Sequence, residues 1–133
     1  MKANIAKVTR ALPIGTEIKT CDNSGAKIIK IISVKGHKTV KRRLASAGVG
    51  DLVTASVING TKEMRKQVVQ AIIVRQKKEY RRPDGTRIKF SDNAAVVLKD
   101  ERGNPKGTIF KGAIAKEATN KWPGVSKVAK III

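Results

Sequence analysis

Two clusters of cations are the residues of this chain best placed to do chemistry, and the chemistry is neutralisation of a polyanion. Residues 75–89 (RQKKEYRRPDGTRIK) hold Arg75, Lys77, Lys78, Arg81, Arg82, Arg87 and Lys89 against only Glu79 and Asp84. Residues 35–43 (KGHKTVKRR) hold Lys35, Lys38, Lys41, Arg42 and Arg43 with no acid among them. Arginine forks and flexible lysines displayed at this density can each pair with a phosphate and release its counterion, which gives affinity without base reading. These twelve residues are the candidate nucleic-acid contacts.

Other chemistry is poorly provided for. His37 is the only histidine and Cys21 the only cysteine. A metal site or acid–base dyad would have to recruit distant carboxylates, and no internal disulfide can form. No glycine-rich phosphate loop and no nucleophile–base–carboxylate set occurs, so we expect neither catalysis, nor a cofactor, nor a metal. His37 reads as a contact to RNA or solvent, and Cys21 as a buried thiol. The acids mostly neighbour lysine or arginine; Asp22 and Asp92, each followed by asparagine, read as turn formers.

The whole-chain charge points the same way. Lysine and arginine number 29 against 10 acids, a net of +19 over 133 residues, and such a charge repels itself unless an anionic partner neutralises it. A membrane face would require a basic amphipathic helix or a lipidation signal, and neither is present. The longest apolar stretch, residues 68–74, is interrupted by Gln70 and falls far short of the roughly 20 residues of a membrane span. Lys2, Lys7 and Arg10 have no apolar block behind them, so no export leader is expected and the chain is expected to stay in the cytoplasm. Nucleic acid is the favoured partner.

The elements that must carry these clusters read mainly as strands. β-Branched, alternating runs occupy residues 26–34, 51–58 and 67–75, with shorter ones at 87–90 and 94–99. In the second run Val53, Ala55 and Val57 form the uniformly apolar set and should face inward. Pro83-Asp84-Gly85 marks a turn, which makes 75–89 a hairpin with a basic tip. Five short strands are most economically closed on themselves, because closure removes exposed edges, and the expected fold is all-β: a small closed five-stranded barrel. Residues 112–121 (GAIAKEATNK) predict a short helix ended by Trp122-Pro123; residues 125–133 are open between a second helix and a final strand. The expected organisation is one domain: an extension laid over the barrel at 1–16, the barrel at 17–110 and a C-terminal helical region at 111–133.

Aromatic residues are scarce. Tyr80, Phe90, Phe110 and Trp122 are all there are, so the stacking platforms of single-strand binders are missing. Phe90 is expected in the core, while Tyr80 is open between packing and stacking on a base. The C-terminal region carries only Lys116, Lys121, Lys127 and Lys130 against Glu117. Its lower charge density suits a protein partner better than RNA, with Trp122, Lys116 and Lys121 as the candidate contacts and core capping as the rival role for Trp122.

At the residue level the chain resembles a known family. Ala71-Ile72-Ile73-Val74, then Asp84-Gly85, Phe90, Asn93 and Val96-Val97 are similar to the signature of the universal large-subunit ribosomal proteins numbered fourteen. The likeness extends over Thr20-Cys21-Asp22-Asn23-Ser24-Gly25-Ala26-Lys27, Gly48-Val49-Gly50-Asp51 and Gly107-Thr108-Ile109-Phe110, to Ala115-Lys116-Glu117 and Trp122-Pro123. The Trp-Pro ending and the N-terminal extension resemble the archaeal and eukaryotic branch. One departure is Phe110-Lys111-Gly112-Ala113, where the family more often has a glycine–proline pair opening the helix.

The resemblance implies a five-stranded barrel with small C-terminal helices in the large subunit of the cytoplasmic ribosome. It implies binding to large-subunit ribosomal RNA at the face toward the small subunit, and a bridge to small-subunit RNA. It further implies contacts with large-subunit proteins three and twenty-four, the latter archaeal and eukaryotic, and docking of an anti-association factor near the C-terminal region. A free barrel-type translation factor or RNA chaperone is the alternative, and it should display an aromatic-rich binding face.

Overall fold

The longest strands are β-branched runs that bury alternate residues. In the computed structural model, which describes residues 8–36 and 40–133, the first nine barrel-forming residues in a row are Ala26–Val34. In chain order the strands are β1 Leu12–Pro13, β2 Glu17–Thr20, β3 Ala26–Val34, β4 Ser46–Ala47, β5 Leu52–Gly60 and β6 Val68–Arg75. They continue with β7 Tyr80–Arg81, β8 Arg87–Ile88, β9 Ala94–Val97, β10 Ala113–Ile114 and β11 Ile131–Ile132; helices α1 Lys116–Lys121 and α2 Pro123–Val128 lie between the last two. The strands β2-β3-β5-β6-β9 form a closed barrel, sealed by a parallel pairing of β2 with β9 (Lys19 opposite Ala94, Thr20 opposite Ala95).

The barrel interior holds Ile18, Ile29, Ile31, Ala71, Ile73, Ala95 and Val97 together with Val53, Ala55 and Val57, so the expected strand phase of β5 is the observed one. In β3 the phase is not a simple alternation. Register shifts between Ala26 and Ile29, and again between Ile31 and Ser33, turn the strand face, and Ile28 and Ile32 end up less buried than Ile29 and Ile31.

A second core lies outside the barrel. Residues 71–74 of β6 and all of β9 are buried on both faces, which is why they read as unbroken apolar runs. Their outer face, Ile72, Val74, Ala94 and Val96, packs on Phe110, Ile114, Ala115, Ala118 and Val125. Helices of six residues without side-chain caps have little stability of their own, so this packing is what holds α1 and α2.

Several expectations need correction. Residues 87–90 are not a barrel strand: β8 pairs only with β7 in a two-residue ladder, and the fifth barrel strand is β2. Four residues with one inward side chain, Ile18, are too few to show alternation in sequence. Helix formation begins at Lys116 rather than Gly112, because Ala113–Ile114 pairs in parallel with Ile131–Ile132. Residues 125–133 are therefore both things left open, the end of α2 followed by a strand. At the end of the N-terminal stretch β1 pairs with β4 in a two-stranded sheet separate from the barrel, and Leu12 is buried in the interior core.

Candidate nucleic-acid interface

The ladder brings the roots of both basic clusters to one rim. Val34 is opposite Val53, Val53 is opposite Ala71, and the Lys35 amide donates to the Leu52 carbonyl at 3.0 Å. The loop leaving β3 and the hairpin leaving β6 thus depart on either side of the start of β5. His37 and Lys38 lie outside the described residues. Lys35, Lys41, Arg42 and Arg43 are exposed, and among the described residues none of them has an ion-pair partner.

The tip of this loop is a tight turn. The Arg43 amide donates to the Val40 carbonyl at 2.9 Å, and the two residues between, Lys41 and Arg42, both adopt left-handed backbone at φ 46° and 67°. Turns of this hand normally take Asn-Gly, because a Cβ crowds the neighbouring carbonyl. Two long cations therefore stand where the backbone would favour other residues, flanked by exposed Val40 and Leu44.

The hairpin is arranged differently. Its turn is as expected: Gly85 N–H donates to the Arg82 carbonyl at 2.9 Å, and Asp84 accepts from the Thr86 amide at 3.0 Å and the Thr86 hydroxyl at 2.6 Å. Lys77, Lys78, Arg81 and Lys89 are exposed with no ion pair among the described residues, and Arg87 is exposed but paired with Glu79 at 2.7 Å.

Arg75 and Arg82, by contrast, are turned into the molecule. Arg75, with its side chain 12% exposed, donates through Nε to Asp92 at 3.0 Å and through Nη1 to the carbonyls of Lys111 and Ala113 at 2.9 and 3.0 Å. Asp92 is thus an ion-pair partner and not a turn former. Its neighbour Asn93 accepts from the Lys77 amide at 2.7 Å. Arg82, 14% exposed, donates to Glu117 at 2.7 Å and to the Ile133 carbonyl at 2.5 Å.

Tyr80 is 2% exposed and its hydroxyl donates to Glu117 at 2.6 Å, which removes it as a base-stacking platform and settles its role as packing. Burial, then the Glu117 hydrogen bond and charge, push the Tyr80 phenol upward. Burial works against the Glu117 carboxylate too, but the bonds from Tyr80 and Arg82 outweigh it and hold that group below its usual range. Gln76, fully buried, accepts from the Val49 amide at 3.0 Å and donates to the Lys78 carbonyl at 2.9 Å, tying the hairpin root to the 48–51 loop. Sequence reading missed Gln76 and Glu117, because nothing in their spacing sets them apart from solvated polar residues.

At the C-terminal end Trp122 is half-buried. Its indole N–H donates to the Gly50 carbonyl at 2.8 Å, and its ring lies where a Cβ on Gly103 would come within 2.5 Å, so only glycine fits beneath it. The Lys121 ammonium sits 5.9 Å from the ring centroid and 3.9 Å from Asp51; Lys116 is exposed. Phe90 is also half-buried, against the outer core. Burial, opposed in part by Arg75, pushes the Cys21 thiol up to about 11. Asp22 is buried beside it and accepts from the Ser24 hydroxyl at 2.9 Å and the Val97 amide at 2.9 Å, bridging to β9 beyond its own turn.

Among the described residues no cluster of histidine, cysteine or carboxylate is placed to hold a metal ion, and no helix is long and apolar enough to cross a membrane. The arrangement is one of strapped-down barrel and exposed cations, able to bind anions by charge.

The chain matches the family described as Ribosomal protein L14p/L23e over residues 11–133. It is 55% identical over 133 residues to the large ribosomal subunit protein uL14 of Nanoarchaeum equitans, covering all of both chains. It is 55% identical over 132 residues to the uL14 protein of Methanococcus vannielii, covering 99% of each. These relatives are ribosomal proteins and not enzymes, and their likeness runs the full length of this sequence. The chain belongs to the ribosomal protein L14p/L23e family.

Proposed function

We propose that the chain is a structural constituent of the large subunit of the cytoplasmic ribosome and holds large-subunit ribosomal RNA against one rim of its barrel. The observation that carries this reading is the set of exposed cations at that rim without ion-pair partners among the described residues: Lys35, Lys41, Arg42 and Arg43 on the loop, and Lys77, Lys78, Arg81 and Lys89 on the hairpin. They neutralise phosphates by position and charge. Arg75 and Arg82 hold the hairpin to the body and present the others. The alternative of a free RNA-binding factor is disfavoured, since Tyr80 and Phe110 are buried and Phe90 and Trp122 half-buried, which leaves no open stacking face.

The finer placement follows the family resemblance: the face toward the small subunit, a bridge to small-subunit RNA, contacts with large-subunit proteins three and twenty-four, and an anti-association factor at the C-terminal region. The less basic surface at Lys116, Lys121 and the open edge of Trp122 suits those protein contacts. The loop is tested by replacing Lys41, Arg42 and Arg43 together with glutamine. The log–log salt slope of ribosomal RNA binding should become shallower by up to about 0.9 per lost contact, taking the duplex-DNA coefficient. An unchanged slope and affinity would remove the loop from the RNA face.

A further inference from the structure

At the start of β3, the opposite end from Lys35, lies an open cavity of about 490 Å³, within the range of ligand-sized pockets. Its wall carries Lys19, Lys27 and Lys111, which come from three separate stretches of the chain. All three are exposed, and among the described residues none has an ion-pair partner. The one carboxylate in the lining, Asp22, is bonded to Ser24 and the Val97 amide and forms no ion pair with them, so the lining holds three cations against one anion. Much of the remaining surface is apolar, with Ile28 half-buried in the floor, and the side chains of Asn59 and Thr61 stand at the edge.

The cavity is framed where the end of β5 pairs closely with the start of β3, Gly60 opposite Ala26. The Thr61 amide donates to the Gly25 carbonyl at 3.0 Å, and a Cβ on Gly60 would come within 2.5 Å of that same oxygen. Both glycines have positive φ, at 102° and 153°. This frame is set by backbone against backbone and is therefore a formed feature, independent of the positions of the lysines.

Three cations lining one largely apolar cavity, with an amide and a hydroxyl residue beside them, match the parts of one nucleotide: a phosphate for the lysines, a base face for the apolar surface and a base edge for Asn59 and Thr61. We infer that this cavity receives a single unpaired nucleotide of RNA, with its phosphate among Lys19, Lys27 and Lys111 and its base against Ile28. The inference rests on the RNA-binding reading above and adds a second contact at the other end of β3, one that recognises a bulged base as well as a phosphate. An open pocket suits a nucleotide that is still joined to its strand on both sides. Paired RNA keeps its bases stacked and cannot fill the floor.

The test uses the full chain and two RNA hairpins of equal length, one fully paired and one with a single bulged 4-thiouridine. The bulged RNA should bind about tenfold tighter, and ultraviolet cross-links should map to peptides containing residues 19–28, 59–61 or 111. Lys19→Gln, Lys27→Gln and Lys111→Gln together should bring the two RNAs within about twofold while the melting temperature stays unchanged. Equal affinity for the two RNAs, cross-links confined to the rim, or a preference that survives the triple replacement would each overturn the inference. So would an acidic peptide or free uridine monophosphate that displaces the bulged RNA as well as unlabelled bulged RNA does, since the cavity would then belong to a protein segment or a small molecule. Salt-dependent binding of paired RNA without bulge preference sinks this inference alone; no binding of either RNA sinks the ribosomal RNA reading with it.

Discussion

The loop of residues 35–43 and the hairpin of residues 75–89 are both rich in cations, yet they spend them differently. The loop's described cations are exposed and without ion pairs, and two of them occupy a left-handed turn. The hairpin turns its two best-buried arginines inward, Arg75 to Asp92 and two carbonyls, Arg82 to Glu117 and Ile133. Charge in a sequence therefore does not measure charge available to a partner. A cation within reach of a carboxylate and backbone carbonyls becomes a strut, while its neighbours on the same ribbon stay exposed.

Breaking the strut should have the largest effect. Glu117→Ala leaves the buried Tyr80 hydroxyl and the Arg82 fork without their partner and should cost about 2 to 3 kcal/mol, below the fully buried case because the carboxylate is a quarter exposed. Chemical denaturation of the folded chain measures it; a loss below about 0.5 kcal/mol would mean the hairpin is held elsewhere. Arg75→Gln should follow at about 1.5 to 3 kcal/mol, since it abandons Asp92 and two carbonyls. Arg87→Gln, which breaks only the exposed pair with Glu79, should leave the melting temperature where it was.

The loop should respond in the opposite sense. Lys41→Asn with Arg42→Gly places the favoured pair in the left-handed turn and should stabilise the fold by about 1 kcal/mol while weakening RNA binding. A double variant that gains stability and keeps full affinity would show that these side chains are not there for phosphate.

The smallest effect is on pH dependence. Because Glu117 titrates below its ordinary 4.5 when folded, its contribution is present above that value and is lost as pH falls through the depressed one. Burial raises the Asp22 carboxyl above its ordinary 3.8, so that group runs the other way: the folded chain holds its proton more tightly and is favoured as pH falls through the raised value. The gap in melting temperature between the native chain and Glu117→Gln should accordingly narrow as pH drops below about 4.5. A gap that widens in acid would contradict the carboxylate's role as acceptor.

What could be read from residues alone was whatever depends on local pattern or bulk charge. The +19 charge required a polyanion; β-branched alternation delivered β3, β5 and β6 nearly residue for residue; Pro83-Asp84-Gly85 delivered the hairpin turn. The signature residues 71–74, 84–85, 90, 93 and 96–97 delivered the family. Tertiary structure alone decided the rest. β2 becomes a barrel strand because β3 and β9 flank it, although four residues carry no visible period. Ala113–Ile114 is extended and not helical because Ile131–Ile132 returns to pair with it. Which arginines are struts was fixed by Asp92 and Glu117, which lie 17 and 35 residues further along the chain. Local propensity acts over a few residues and so is written in the sequence, whereas the partner of a charge is chosen by chain closure over long separations and exists only once the barrel has formed.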